Sequence, residues 1–232
     1  VLFDVRRGRL VRVFGEGRVP TVPAAAFPPA AADTEGARLL RTVGVPDGTV
    51  LLRQPGEDDG LLPLVQDIVC VGDLEDFEGF EGFEGFEGLQ GLQGLQGFED
   101  AVGGVGGWPV IGWLLHAHLV LDPASGTVYA LDPDEETVRG LHTDVSSLVE
   151  VAFRFQRLLE EFAFGGDHID GGGEDAGFER LEGEVERVRE EIGRVDPLPF
   201  RDEETVWSVV ADEIAMGQRF PGDSPGARSL YG

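Results

Sequence analysis

Cysteine is almost absent from this 232-residue chain. Cys70 stands alone, which excludes an internal disulfide and any zinc cluster built from cysteines. It sits in the apolar run LVQDIVCVG, where a small buried thiol is the expected role. Long hydrophobic runs are missing as well. No stretch approaches the ~20 apolar residues of a membrane helix, and the opening VLFDVRRGRLVRVF has no unbroken apolar segment of the signal-peptide kind. The first residue is Val1 rather than Met, which leaves room for residues upstream. Positive charge is scarce: 18 basic residues face 44 acidic ones, for a net charge of −26. A field of that sign repels phosphate backbones and argues against direct contact with nucleic acid or an anionic membrane. It suits a basic protein partner, and equally plain solubility. The expectation is a soluble, cytoplasmic protein.

Catalytic signatures are also lacking. The sequence contains no G-x-S-x-G, no H-E-x-x-H and no cysteine–histidine pattern. Its four histidines include His116 and His118, an H-x-H that on a strand would put both rings on one face. No third ligand of obvious kind lies near, and a metal site needs three or four with supporting hydrogen bonds. GGVGG at 103–107 is followed by Trp108-Pro109 and a strand pattern rather than by a helix N-terminus, so it cannot cradle a phosphate. The expectation is no enzyme, no metal and no cofactor.

What the chain does have is a triplet, FEGFEGFEGFEGLQGLQGLQG, at 77–97. Seven glycines at every third place would cost a helix roughly 7 kcal/mol. A strand would throw successive Phe side chains onto opposite faces. Only a threefold conformation aligns them, either a 3-10 helix, which is rarely long, or polyproline II. The triplet therefore reads as a loop insertion, with self-association through exposed Phe and Leu as the alternative.

With 41% hydrophobic residues, the rest can bury one core, and 1–232 reads as a single domain. VLFDVRRGRLVRVF alternates like a strand or hairpin around RRGR. TEGARLLRTVG predicts a short helix with Thr34 as N-cap, Leu39 and Leu40 buried, and Gly44 as its stop. VPDGTVLL, LLPLVQDIVCVG and WPVIGWLL read as strands. HLVLDPASGTVYALD is a hairpin closed by Asp122-Pro123-Ala124-Ser125-Gly126. SSLVEVAFRFQRLLEEF predicts a helix opened by a Ser147–Glu150 capping box, with an apolar stripe of Leu148, Val151, Ala152, Phe155, Leu158, Leu159 and Phe162. After a Gly/acidic linker at 165–177, Leu181, Val185, Val188, Ile192 and Val195 mark a second helix, broken at Pro197. Val206, Trp207, Val210 and Ile214 mark the buried side of the last, and 221–232 reads as a frayed tail. The fold class is α+β: a mixed or antiparallel sheet with helices mainly on one face. The densest acidic tip follows the hairpin, at Asp132, Asp134, Glu135 and Glu136.

Four segments, in order, resemble the SUKH superfamily of bacterial immunity proteins, and most its fourth subfamily. They are ARLLRTVGVPDGTVLL, VIGWLLHAHLVLDPASGTVYALD, SSLVEVAFRFQRLLEEF and VDPLPFRDEETVWSVVADEIAMG. The 77–97 repeat departs from that pattern. The resemblance implies a non-catalytic protein that neutralises a cognate toxin of a polymorphic toxin system, often one that attacks nucleic acid, such as a nuclease or deaminase. Such a toxin presents a basic cleft that an acidic inhibitor can be steered to and cover. Asp132, Asp134, Glu135 and Glu136 are the candidate partner-binding residues. The alternatives are an assembly module that self-associates through the repeat and a metal-binding protein or enzyme centred on His116 and His118.

Overall fold

A computed structural model describes residues 1–48, 50–52, 60–68, 105–132, 137–164 and 174–231. Cys70, the 77–97 repeat and the acidic residues Asp134, Glu135 and Glu136 lie outside them.

The chain opens with a helix, not the strand or hairpin that its alternation suggested. α1 spans Arg7–Phe14 and buries Leu10 and Phe14, an i, i+4 pair that fits a helix as well as the alternation fits a strand. Tertiary anchoring decides between them: the Arg7 guanidinium donates to the backbone carbonyls of Val19 and Val43. Proline-led α2 (Pro29–Ala32) follows, and then α3 (Glu35–Thr42). Thr34 caps α3, its hydroxyl accepting from Ala37 N–H at 3.2 Å, and Leu39 and Leu40 are buried. Gly44 ends the turn at φ 79°. A side chain there would come within 2.3 Å of Pro20 O, so the stop is enforced by sterics as well as by dihedral.

The sheet is antiparallel throughout, its five strands following one another in chain order. β1 is described at Leu51–Leu52. β2 (Val110–Leu114), β3 (Ala117–Leu121), β4 (Val128–Asp132) and β5 (Thr137–His142) form the body. The β3–β4 hairpin is the expected one. Asp122 carboxylate oxygens accept from Ala124 N–H and Ser125 Oγ–H, and Gly126 takes φ 80°. The segment LLPLVQDI, expected to be extended, instead turns into α4 (Val65–Ile68) after a single bridge from Leu64 to Pro109. The Asp67 carboxylate accepts Leu64 N–H at 2.7 Å, a local bond that favours a turn over a strand.

Alternation along the strands separates two cores. Leu119, Leu121, Val128, Ala130 and Leu141 face the main one. Val110, Val120 and Leu131 face a smaller one completed by Val65 and Val105, with Ile68 and Trp108 against it. The main core belongs to the helices. α5 (Val145–Glu161) supplies the predicted stripe from Leu148 to Leu159, with Leu158 only partly buried, while Phe162 follows the end of the helix and is partly buried as well. Its cap is Asp144, not Ser147. Asp144 Oδ1 accepts Ser147 N–H at 3.0 Å, so the helix starts earlier than the Ser147–Glu150 box implied, and Glu150 serves elsewhere.

α6 (Glu174–Gly193) begins inside the stretch read as linker. It buries Leu181, Val185 and Ile192, while Val195 lies beyond its end and is exposed. α7 (Val206–Ala215) buries Val206, Trp207, Val210 and Ile214 as expected. The segment expected to fray carries α8 (Pro225–Tyr231). Ser224 Oγ accepts Ala227 N–H at 3.1 Å, Ala227 is buried, and Phe220 before it packs against Phe162 and Phe164. Aromatic contact and a helix cap hold a segment whose composition alone marks it as loose.

Candidate functional site

The strongest polar cluster is sealed inside. His142, at the end of β5, is fully buried. Trp207 Nε1–H donates to its Nε2 at 2.7 Å. Nε2 is therefore the unprotonated nitrogen, and the neutral ring offers Nδ1–H to Ser147 Oγ at 2.9 Å. Burial pushes the His142 pKa down to about 3, against the opposing pull of Asp196 and Asp144. Beside it, buried Asp196 accepts from Thr143 N–H and Thr143 Oγ–H at 2.9 and 2.8 Å. With no solvent access these groups cannot meet a substrate; they join sheet, α5, α6 and α7.

A second network ties α1 to the helical layer. Glu150, nearly inaccessible, accepts from Arg9 at 2.7 and 3.2 Å and from Arg154 Nε at 2.7 Å. Arg154 reaches on to Glu191. Burial would lower the Arg154 pKa, but the bonds from Glu150 and Glu191 outweigh it and raise it. Every donor has a carboxylate, which is the condition for a buried charge to be tolerated.

Several depressions open on the described surface, among them the following two. The first, about 340 Å³, lies where the helical layer ends over the sheet. Ala117 and Ala130 form its floor, Arg139, Gly140 and Leu141 one wall, and Glu204, Thr205 and Val206 the other. His116 and Asp132 stand at its end, His116 Nε2 lying 2.9 Å from Asp132 Oδ2. Arg139 is held by Glu204 at 3.0 Å and by Asp202 at 4.0 Å. Asp202 also accepts Glu204 N–H at 3.1 Å, which presents the Glu204 side chain to solvent. The second depression is a broader groove of about 540 Å³ between α6 and α7. Glu186, Glu190, Asp202, Glu203 and Asp212 line it, against Arg189 and Arg201. Both cations are engaged: Arg189 donates to Asp212 and Ser208 O, and Arg201 to Asp202. The groove is acidic on balance.

A model of the SUKH-4 immunity protein family matches residues 5–213. The chain belongs to the SUKH-4 immunity protein family. No curated protein and no solved structure matches it. The family implies a protein that binds a cognate toxin, and its members are generally non-catalytic. Among the described residues no helix is long and apolar enough to cross a membrane, and no group of three metal-ligating side chains comes together.

The sequence candidates fall unevenly on this SUKH-4 frame. Asp132 is the last residue of β4 and is 6% exposed, engaged with His116 rather than standing on an open tip. Asp134, Glu135 and Glu136 follow outside the described residues. His116 and His118 do not share a face. His118 sits opposite Leu131 in the β3–β4 ladder, on the smaller-core side, whereas His116 lies in the β2–β3 turn after Leu115, whose φ is 55°. The strand starts one residue too late for the H-x-H geometry. Sequence reading missed Glu204 and Arg139. The acid run Asp202-Glu203-Glu204 is as visible as the one at 132–136, but only the packing of α7 brings it to the cleft.

Proposed function

We propose that this SUKH-4 protein neutralises a toxin that acts on nucleic acid, by covering the toxin's basic cleft with its own acidic surface. The observation that carries this reading is the net charge of −26 together with the carboxylate-lined groove between α6 and α7. A nucleic-acid enzyme has to present a basic cleft to its substrate. An inhibitor of opposite sign is steered to that cleft, and suppresses competing partners by repulsion. Inhibition then needs no chemistry from the SUKH-4 chain, only occlusion. Asp134, Glu135 and Glu136, with the nearly buried Asp132 at the start of that run, are proposed contacts. The protein works inside the cell that makes the toxin, where its target must be met before secretion.

The test is capture of the partner from the native cell at low and high salt, using the full chain and a form lacking 77–97. A single basic partner held by both forms, released as salt rises, and toxic when expressed without the SUKH-4 protein, is the expected result. Self-association that needs 77–97, with no partner for either form, overturns the reading in favour of an assembly module.

A further inference from the structure

The cleft beside Asp132 has features that the broader groove lacks. Its volume, about 340 Å³, stands at the lower end of ligand pockets. Its floor, Ala117 and Ala130, is apolar and built from small side chains. Two carboxylates from different elements line it, the nearly buried Asp132 from β4, which also meets His116, and the exposed Glu204 from the turn before α7. The cation on the wall, Arg139, is already balanced by Glu204 and Asp202. Across its lining two carboxylates, Asp132 and Glu204, face one cation, Arg139, so the cleft leans negative. An anion is therefore disfavoured, and a rigid planar cofactor would find too little room. A long side chain with an apolar stem and a cationic head matches on both counts.

We propose that this cleft takes an arginine side chain presented by the toxin partner, its methylenes on Ala117 and Ala130 and its guanidinium between Asp132 and Glu204. The planar, forked donor set of arginine answers carboxylates on separate walls better than the compact ammonium of lysine does. The incoming guanidinium competes with Arg139 for Glu204, so Arg139 retains Asp202 when the cleft fills. This rests on the immunity reading for the source of the arginine, though not for the chemistry of the cleft.

The experiment titrates the full chain with N-acetyl-arginine amide, using N-acetyl-citrulline amide as the uncharged isostere, and follows backbone amides by nuclear magnetic resonance. Saturable shifts confined to Ala117, Ala130, Gly140 and Val206, given by the arginine probe alone, are expected. Ala130→Leu fills the cleft without changing charge and should abolish them. Glu204→Gln, at a side chain 76% exposed and so harmless to folding, should weaken binding about threefold, the scale of one exposed ion pair. Shifts of equal size along the acidic groove, equal shifts with citrulline, or unchanged binding by a folded Ala130→Leu chain would each overturn the proposal. Failure of the two readings is separable. A captured toxin held equally by wild type and Ala130→Leu defeats the arginine cleft and leaves immunity standing. Absence of any captured toxin defeats immunity, while the titration still decides the cleft.

Discussion

The helix-covered face of the sheet is finished differently at its two ends. At the His142 end the space is filled to the limit. Trp207 stacks on Phe155 with ring centroids 5.6 Å apart, and every polar atom of the His142 ring has a partner. At the Asp132 end the floor is alanine, the flanking groups are charged, and a cleft remains. The same helix serves both, since Val206 borders the cleft and Trp207, its neighbour in the chain, fills the core. The contrast is physical: dense apolar packing with satisfied polar bonds gives stability at one end, and the charged end, where the arginine is proposed to enter, is left loosely filled.

The sharpest way to break that comparison is Trp207→Ala. It opens a large cavity and leaves His142 Nε2 without its donor, and the expected loss is about 3–5 kcal/mol by urea denaturation. A loss below about 1 kcal/mol would show that the packed end is not where stability resides. Acid is the next test. The folded pKa of His142 lies below its ordinary 6.5, so the unfolded chain binds the proton first. The contribution is complete above pH 6.5 and is lost as pH falls toward about 3, by about 1.4 kcal/mol per pH unit. Between pH 6.5 and 5 the chain should lose about 2 kcal/mol, and His142→Gln should flatten that part of the pH profile.

Asp144→Ala removes the α5 cap and should cost about 1 kcal/mol. Burial alone would raise the Asp144 pKa, but bonds from Ser146, Ser147 and Leu2 hold it below the usual carboxylate range. The wild-type cap is thus still charged where ordinary aspartates begin to protonate. Glu204→Gln, at the open end, should leave the urea midpoint where it is. A destabilisation matching that of Asp144→Ala would make the cleft rim part of the scaffold and erase the contrast.

Much of the scaffold was legible because its signals are local. Thr34 three residues before Ala37, the turn ending at Gly126 and the stripe from Leu148 to Phe162 each carry their geometry within a few residues. Misreadings arose where a local pattern had two solutions. Leu10 and Phe14 satisfy a helix as well as a strand, and Arg7 reaching Val19 and Val43 chose the helix. The Asp144 and Ser147 caps compete for the same turn, and Asp144, also bound to Ser146 and Leu2 N–H, prevailed. α8 was hidden because its support, the Phe162, Phe164 and Phe220 contacts, comes from residues distant in sequence.

By itself the sequence determined the charge, the α+β class, the hairpin, the amphipathic helices and the resemblance to SUKH immunity proteins, since these depend on composition, period and order. Only the tertiary structure decided that His116 meets Asp132 while His118 faces the other side, that His142 is sealed against Trp207, and that Glu204 comes to line the same cleft as Ala130. Those outcomes depend on which surfaces meet after folding. A linear pattern can say that a face is apolar or a turn acidic, but the partner of each face is chosen by the packing of the whole chain.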